Sequence, residues 1–199
     1  MAAVRESLRL PQTVWWVRLG PGAAAARADS LQRDIARSKA LISKATQAMS
    51  ERQPAGPYIV VDTGANRLLM WKDGEVLVEA VCSTGSGKEL VSGKRRWVFN
   101  TPRGKRKVMA KIPVPTWNKP DWAFIEDNEK VPPAGSPDRQ EDGVLGEYGL
   151  AMGDGYLIHG TLYKRFLGQS VTHGCVRLDD DDLEAVYEKA VIGTPIYLF

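Results

Sequence analysis

The spacing of hydrophobic positions changes once along the chain, near residue 57. Before this point, apolar residues recur every three or four positions, which is typical of an amphipathic helix. One face of that helix carries a single polar residue among apolar ones: Leu31, Ile35, Ser38, Leu41, Ile42, Ala45 and Met49. We therefore predict an N-terminal extension over residues 1–56 that contains a helix over about residues 29–50.

Local signals mark both ends of this helix. Asp29 or Ser30 can act as its N-cap, because a short polar side chain accepts hydrogen bonds from the free N–H groups of the first turn. The linker Pro54-Ala55-Gly56-Pro57 follows its end. Two interpretations stay open: the helix docks on the rest of the chain through its apolar face, or it is an interaction arm.

From Tyr58 onward, hydrophobic and polar residues alternate with the period of two that is typical of half-buried strands. The pattern predicts strands over Tyr58–Asp62, Arg67–Lys72 and Glu75–Cys82, with a hairpin turn at Asp73-Gly74. Further strand-like runs follow: Arg96–Asn100, Lys107–Val114, Trp122–Ile125, Gly149–Met152, Tyr156–His159 and Thr194–Phe199.

Many short strands separated by Gly- and Pro-rich turns indicate a mainly β domain, either a sandwich or a barrel. We expect this domain to span residues 57–199. One helix is predicted in it, near Asp180–Ala190, with Asp179 as its N-cap and Gly193 after its end.

Two segments of this domain are long and rich in Pro and Gly, namely Gly104–Pro120 and Ile125–Gly146. Long loops in a compact β domain are usually lids or binding loops. Trp117, Trp122 and Tyr148 suit a groove for an extended peptide. Three basic residues could meet the carboxylates of such a peptide: Lys105, Arg106 and Lys119. The alternative is that the tryptophans fill a small core beneath the loops.

The composition narrows the classes of function. The chain has 199 residues, of which 43% are hydrophobic, and a net charge of +3. This hydrophobic fraction excludes disorder over the whole length, and so small a charge does not favour nucleic-acid binding. Two basic stretches, Lys94–Arg96 and Arg103–Lys107, form either a solvated hairpin or a surface for a polyanion such as a cell-wall polymer.

All the histidine in the chain lies close to one cysteine. His159 and His173 both precede Cys175 by a short interval, whereas Cys82 lies in a predicted strand as a small buried hydrophobe. We expect both cysteines to be free thiols. A thiol, with a pKa of ~8.5, becomes a nucleophile when an imidazole takes its proton. Gly174 lets the chain turn sharply and leaves main-chain N–H groups open for an oxyanion.

Two other interpretations apply to these residues. They could be structural, with the histidines half-buried and the cysteine in the core. They could also bind zinc, but His159, His173 and Cys175 supply three ligands without a Cys-x-x-Cys partner. We therefore favour catalysis and expect neither a metal nor a cofactor.

The segments His159-Gly160 and Thr172-His173-Gly174-Cys175-Val176-Arg177 resemble the L,D-transpeptidase (YkuD-type) catalytic domain. That family is marked by His-Gly and, further along, Ser/Thr-His-Gly-Cys, a hydrophobic residue and Arg or Asn. The resemblance extends upstream to shorter segments: Ser83-Thr84-Gly85, Thr101-Pro102-Arg103-Gly104, and Leu145-Gly146 with Tyr148-Gly149-Leu150. It implies a YkuD-like β-sandwich over about residues 58–199.

The resemblance also implies a peptidoglycan enzyme that works by two-step acyl transfer. Cys175 attacks the bond between the diamino acid and D-alanine of a tetrapeptide stem, and a thioester forms as D-alanine leaves. The acyl acceptor is an amine: a second stem gives a 3→3 crosslink, a D-amino acid gives exchange, and a protein lysine gives anchoring. Two alternatives stay open: an L,D-carboxypeptidase or amidase that hydrolyses the thioester, and a non-catalytic cell-wall-binding module.

Matching positions imply the roles of the histidines. His159 is the general base, and the carbonyl of Gly160 orients its ring. His173 shares a face with Cys175 on an extended backbone. It therefore supports an oxyanion hole formed by the N–H groups of Gly174 and Cys175.

Two further residues have substrate roles in this resemblance. Arg177 either binds a substrate carboxylate or pairs with Asp179 or Asp180. Tyr148 contributes a hydroxyl near the thioester.

The location follows from the substrate. Peptidoglycan lies outside the cytoplasmic membrane, so we expect a bacterial periplasmic or cell-wall protein that takes part in cell wall organization and cell shape. No run reaches the ~18 apolar residues of a transmembrane segment. The longest apolar run near the N-terminus, Val14–Val17, is too short for a signal peptide. This leaves two alternatives, a cytoplasmic protein or an export signal outside this sequence, and the substrate favours the second.

Overall fold

The computed structural model describes the backbone of residues 21–50 and 54–199 and the side chains of residues 26–44 and 54–199. The chain divides into two units between residues 52 and 53. No helix in the described part of the chain combines the length and the apolar character needed to cross a bilayer.

The first unit contains helix α1, Pro21–Ser50. It begins earlier than predicted, with proline in the first helical position, where its missing N–H is not needed. Asp29 and Ser30 therefore lie inside the helix, and the prediction that either caps it is wrong. The large apolar side chains described on it are each more than half exposed: Leu31, Ile35, Leu41 and Ile42. The side chains of Ala45 and Met49 lie outside the described residues, and the choice between a docked helix and an arm stays a prediction.

The second unit consists of short strands and two helices. Its strands are β1 (Tyr58–Asp62), β2 (Arg67–Lys72), β3 (Glu75–Val81), β4 (Thr84–Gly85), β5 (Glu89–Ser92), β6 (Arg95–Val98), β7 (Gly104–Lys107), β8 (Ala110–Pro113), β9 (Trp117–Asn118), β10 (Gln140–Glu141), β11 (Tyr148–Gly153), β12 (Tyr156–His159), β13 (Ser170–Thr172), β14 (Val176–Arg177) and β15 (Pro195–Leu198). Its helices are α2 (Asp121–Glu126) and α3 (Asp180–Lys189), with 3-10 turns at Pro137–Arg139 and Lys164–Phe166.

Five strands form the larger sheet, in the order β3-β2-β1-β15-β7. The predicted bounds of β1 and β2 match the observed ones. The predicted hairpin turn joins β2 to β3, with φ of 53° at Asp73 and 86° at Gly74, as two-residue hairpin turns require. The closing strand β15 lies parallel to β1, so both ends of the domain belong to one sheet.

Four strands form the second sheet, in the order β14-β12-β11-β8. Fully buried side chains of both sheets belong to one core cluster: Ile59, Leu68, Leu150, Ile158, Val176 and Ile196. This arrangement confirms the predicted mainly β sandwich. Helix α3 adds Leu183 and Val186 to the same core, and the carboxylate of its N-cap, Asp179, accepts a hydrogen bond from the N–H of Asp180.

Two predictions are wrong in the segment that precedes β11. Trp122–Ile125 belongs to helix α2, which follows an extended Pro120 and buries Ala123 and Phe124. A short apolar run has no period that separates a strand from a helix. The predicted loop Gly104–Pro120 contains β7 and β9 in addition to β8, which lies within the predicted strand Lys107–Val114. The β domain therefore has two helices rather than one, and less irregular chain than expected.

Candidate active site

The main site residues lie on the face of the four-stranded sheet that points away from the core, here called the site face. β12 and β14 are parallel, with Ile158 opposite Val176 and His159 opposite Arg177. Ile158 and Val176 are fully buried in the core. Because side chains alternate along a strand, His159 and Arg177 project from the site face. Cys175, two residues before Arg177, lies on the same side.

The two cysteines are free thiols, as predicted, but their surroundings differ. Burial raises the pKa of the Cys175 thiol, while a hydrogen bond with the backbone of Leu157 and the charge of Arg177 act in the other direction. Burial raises the pKa of the fully buried Cys82 to about 12. Cys175 therefore rests as a neutral thiol and needs a base to become a nucleophile.

His159 is a buried base candidate, with 3% of its surface exposed. Burial and, next, the charge of Arg177 lower its pKa to about 4, although hydrogen bonds with the backbone of Gly160 and Leu145 oppose this shift. The imidazole is therefore neutral near pH 7. Within the described part of the chain, its Nδ1 is the one buried side-chain nitrogen or oxygen without a hydrogen-bond partner. Such an orphan atom is costly and indicates a missing ligand or proton donor.

Thr172 closes the turn that carries Cys175. Its Oγ1 donates a hydrogen bond to the carbonyl of Cys175 at 2.7 Å and accepts one from the N–H of Gly174 at 3.0 Å. The N–H of Gly174 is thus already engaged, so the prediction that it is open to an oxyanion is wrong for this structure. The N–H of Cys175 makes no hydrogen bond with any described residue and stays available.

Gly174 is required by its backbone and by its neighbours. Its φ is 123°, and an added Cβ would lie 2.5 Å from the ring of Tyr156 and 2.9 Å from the carbonyl oxygen of Asn100. Its own carbonyl accepts a hydrogen bond from Oγ1 of Thr101 at 2.9 Å, and that hydroxyl accepts one from the N–H of Gly85 at 2.8 Å. Two upstream segments of the family resemblance therefore meet at the turn that carries Cys175.

The third upstream segment lies beside His159. The N–H of Gly160 donates a hydrogen bond to the carbonyl of Leu145 at 2.8 Å. An added Cβ on Gly146 would lie 2.9 Å from Cα of Gly160, so a side chain would push the two backbones apart. The paired glycines bring the carbonyl of Leu145 close enough to orient the buried imidazole.

Arg177 is a half-buried cation that makes no ion pair with any described residue. The two acids considered as its partners, Asp179 and Asp180, each lie 2.8 Å from Nζ of Lys164. The ion-pair interpretation of Arg177 is therefore wrong. A guanidinium that is half-buried without a carboxylate is suited to bind an anionic ligand.

His173 is held by residues outside its own turn. Gly174 is not extended, so the alternation that would bring His173 beside the nucleophile does not apply. Its Nε2 lies 2.6 Å from Oε2 of Glu126. Its ring stacks on Trp122, with centroids 4.2 Å apart and planes at 16°, and meets Phe99 edge-on at 4.4 Å. Helix α2 thus contacts the turn that carries Cys175 through this ring.

Tyr148 lies on the core face, not on the site face. In the antiparallel pair of β11 and β12, Gly149 lies opposite His159, so the alternation turns Tyr148 toward the other side. Its ring stacks on Tyr187 of α3, with centroids 4.4 Å apart. The prediction that its hydroxyl approaches the thioester is therefore wrong.

Residues 114–146, here called the lid segment, border the site face. The side chain of Pro115 lies over Gly149, where an added Cβ would be 3.4 Å away. The two tryptophans form a tilted pair with centroids 6.1 Å apart. Trp122, not Trp117, contacts the turn that carries Cys175, because its ring stacks on His173.

Of the three basic residues assigned to a substrate groove, Lys119 alone belongs to the lid segment, and its ammonium lies 2.7 Å from a carboxylate oxygen of Glu141. Lys105 and Arg106 lie on β7, at the edge of the larger sheet. Sequence analysis did not indicate Glu126, because it was placed in a predicted loop although it ends helix α2, and a single acid carries no local signal. Thr101 and Thr172 stand in recognised motifs, but only contacts between distant segments reveal what their hydroxyls do.

Comparisons with known proteins identify the family of this chain. The family model of the YkuD L,D-transpeptidase catalytic domain matches residues 56–198. A Salmonella typhimurium protein described as "Probable L,D-transpeptidase ErfK/SrfK" is 30% identical over 143 residues, which cover 70% of this chain and 43% of the relative. The Escherichia coli K12 protein "Probable L,D-transpeptidase YbiS" is 36% identical over 96 residues, which cover 45% of this chain and 30% of the relative. The chain thus matches less than half the length of these relatives.

Solved structures share the fold. An L,D-transpeptidase from Mycobacterium smegmatis aligns with a TM-score of 0.54 and 26% identity, covering 73% of this chain and 59% of that one. The catalytic domain of an Enterococcus faecium L,D-transpeptidase aligns over 74% of this chain and 99% of its own length, with a TM-score of 0.53 and 19% identity. Since the family match spans most of the chain and includes every motif residue of the site face, the chain belongs to the L,D-transpeptidase (YkuD) catalytic domain family.

Proposed function

We propose that this chain is a peptidoglycan L,D-transpeptidase in which Cys175 is the nucleophile, His159 the general base and Arg177 the anchor for a substrate carboxylate. The observation that carries the proposal is the buried, unpartnered Nδ1 of His159 on the same sheet face as Cys175 and Arg177. A thiol supplies the proton that this nitrogen lacks. Nδ1 makes no hydrogen bond with any described residue, so in the tautomer with its hydrogen on Nε2 it carries the free electron pair that takes this proton.

In the first step, Sγ of Cys175 attacks the carbonyl carbon between the diamino acid and D-alanine of a tetrapeptide stem, and Nδ1 of His159 takes the thiol proton. The N–H of Cys175 donates to the oxyanion. The carbon–nitrogen bond then breaks, and the proton passes from His159 to the amine of D-alanine. A pKa of about 4 makes the protonated imidazole a strong acid, so it gives up this proton readily.

In the second step, an acceptor amine attacks the thioester. A new amide bond forms, the carbon–sulfur bond breaks, and its electron pair returns to Sγ of Cys175. The proton that the amine loses passes through an imidazole of the site and restores the Cys175 thiol. A second stem as acceptor gives a 3→3 crosslink, a free D-amino acid gives exchange, and a protein lysine gives anchoring. Attack by water gives carboxypeptidase activity through the same thioester.

The surroundings of the site suit a stem peptide. Such a stem carries carboxylates, and Arg177 is a half-buried guanidinium without an ion pair among the described residues. Trp117 and Trp122 in the lid segment offer half-buried aromatic faces for the aliphatic parts of the stem. The substrate locates the protein in the bacterial periplasm or cell wall.

The experiment is to incubate the full chain with purified tetrapeptide stems, with and without an added amine, and to follow protein and products by mass spectrometry. We expect an acyl adduct on Cys175, release of D-alanine, and an amide product that depends on the amine. Tripeptide and D-alanine without any amide product would assign a hydrolase instead. A folded protein that forms no adduct and releases no D-alanine would contradict both activities.

A further inference from the structure

The ring of His173 is enclosed by three side chains from two other segments. Glu126 and Trp122 belong to helix α2, and Phe99 follows β6. The carboxylate of Glu126 lies 2.6 Å from Nε2, Trp122 stacks on the ring, and Phe99 meets it edge-on. Position, plane and rotation of the imidazole are therefore all restrained, although the side chain of His173 is 29% exposed.

The contact with Glu126 decides which ring nitrogen carries hydrogen. An ionised carboxylate can only accept hydrogen bonds, so Nε2 must be the donor. Nδ1 is then the nitrogen that can gain or lose a proton, and it makes no hydrogen bond with any described residue. Nδ1 is bonded to Cγ and is therefore the ring nitrogen nearer to the main chain of the turn that carries Cys175.

Helix α2 is short, but its start is braced. The carboxylate of Asp121 lies 2.7 Å from the guanidinium of Arg139 and 2.6 Å from that of Arg95. Arg139 also donates hydrogen bonds to the carbonyls of Lys119 and Pro132. Glu126 thus projects from a fixed helix, which suits a residue that has to hold another one in place.

We propose that Glu126 is a positioning residue that holds His173 ready to take the proton of the acceptor amine, an inference that rests on the proposed function. When the amine attacks the thioester, its nitrogen bonds to the carbonyl carbon and its proton moves to Nδ1 of His173. The carbon–sulfur bond breaks at the same time, and its electron pair returns to Cys175. His159, buried and strongly acidic once protonated, serves the first step, and the half-exposed His173 serves the second.

The first test uses nitrogen NMR of the imidazoles. The whole chain contains two histidines, so a 15N-labelled sample gives two imidazole spin systems. We expect His173 to carry its hydrogen on Nε2 in the wild type and to exchange between both tautomers in Glu126→Ala. A His173 with hydrogen on Nδ1, or a pattern unchanged in Glu126→Ala, would overturn the inference. This readout does not depend on any activity, so it separates a failure of the inference from a failure of the proposed function.

The second test separates positioning from folding by kinetics on stem peptides. Glu126→Ala should lower kcat for amine transfer about 10- to 100-fold, the size expected when a proton-transfer group loses its orientation. KM for the donor stem and the rate of Cys175 alkylation by iodoacetamide should stay unchanged. Glu126→Gln keeps an acceptor oxygen and should restore most of kcat. Glu129→Ala, an exposed acid of the same segment, is the matched control and should resemble wild type.

A double-mutant cycle with His173→Gln completes the test. If Glu126 acts through His173, adding Glu126→Ala to that variant costs no further activity, because the partner is already gone. Additive losses would show that Glu126 acts elsewhere and would overturn the inference. Thermal unfolding of each variant identifies any loss that comes from misfolding.

Discussion

His159 and Arg177 lie directly opposite each other on the parallel strands β12 and β14, so a cation and an imidazole project side by side from one sheet face. The charge of Arg177 adds to the effect of burial and lowers the pKa of His159 to about 4. The same charge favours the thiolate of Cys175 against the effect of burial. Burial together with this arginine therefore keeps the imidazole of His159 neutral, and the arginine also eases loss of the Cys175 thiol proton.

The same substitution at each of the two cysteines identifies the nucleophile, because the two variants differ only in which thiol is removed. Cys175→Ala should abolish the acyl adduct and all turnover, whereas Cys82→Ala should keep most of both. Cys82 is fully buried in the core, and its pKa of about 12 leaves it as an unreactive thiol. Mass spectrometry of the intact protein after incubation with stem peptide or iodoacetamide measures the adduct, and release of D-alanine measures turnover. An inactive but folded Cys82→Ala protein would contradict the assignment.

The base assignment predicts a defect in thiol activation. His159→Gln should slow turnover at least ~100-fold, in the range of general-base contributions. Alkylation of Cys175 by iodoacetamide, followed from pH 5 to pH 9, should slow as well, because no neighbouring nitrogen takes the proton. Identical alkylation rates in wild type and variant across this range would rule out His159 as the base.

Burial of neutral His159 predicts a pH-dependent stability. Its pKa is about 4 in the folded protein, below the usual value of an exposed histidine, so the unfolded chain binds more protons in the interval between them. The free energy of unfolding should therefore fall as the pH drops through this interval, by about 2 kcal/mol at pH 5. Urea unfolding of wild type and His159→Gln at pH 7.5 and pH 5 measures the difference. Equal pH dependence in the two proteins would contradict the buried neutral state.

Arg177 should act on substrate carboxylates. Arg177→Gln should slow acylation by a stem with free carboxylates about 10- to 100-fold, as loss of a charge-assisted hydrogen bond implies. A stem with its terminal carboxylate converted to an amide tests this: wild type should discriminate between the two stems, and the variant should not. Because Arg177 also favours the thiolate, iodoacetamide alkylation should slow in the variant, but by less than acylation does. Equal slowing of both reactions would show that Arg177 acts on the thiolate alone and not on substrate.

If the lid segment covers the peptide groove, substitution of its tryptophans should weaken substrate binding and leave the stability of the fold unchanged. Trp122→Ala should raise KM or slow acylation, with Trp117→Ala weaker, because Trp122 is the ring that stacks on His173. Under the alternative, in which both tryptophans fill a small core, the melting temperature should fall by several degrees, as for a core truncation. Trp71→Ala on β2 of the other sheet is the control for loss of any half-buried tryptophan. Unchanged kinetics with a large fall in melting temperature would count against the lid.

Local sequence was sufficient to predict those elements whose structure depends only on residues close together in the chain. The alternation of β1 and β2, the Asp73-Gly74 turn and the Asp179 cap depend on backbone preferences within a few residues, and all were predicted correctly. The combination of His-Gly with Thr-His-Gly-Cys likewise identified the family without any structure. The helix at Asp121–Glu126 was missed because a short apolar run reads equally well as a strand.

Tertiary structure decided the functional details of the site, since these depend on register and on contacts between segments far apart in the chain. Strand alternation directs Tyr148 to the core face, where it stacks on Tyr187. Asp179 and Asp180 form ion pairs with Lys164 and not with Arg177. The hydroxyl of Thr172 engaged the N–H of Gly174. By itself the sequence predicted which residues carry the proposed chemistry. Only the packed fold determined what each of them faces, because a side chain's partners are set by the segments brought against it rather than by its neighbours along the chain.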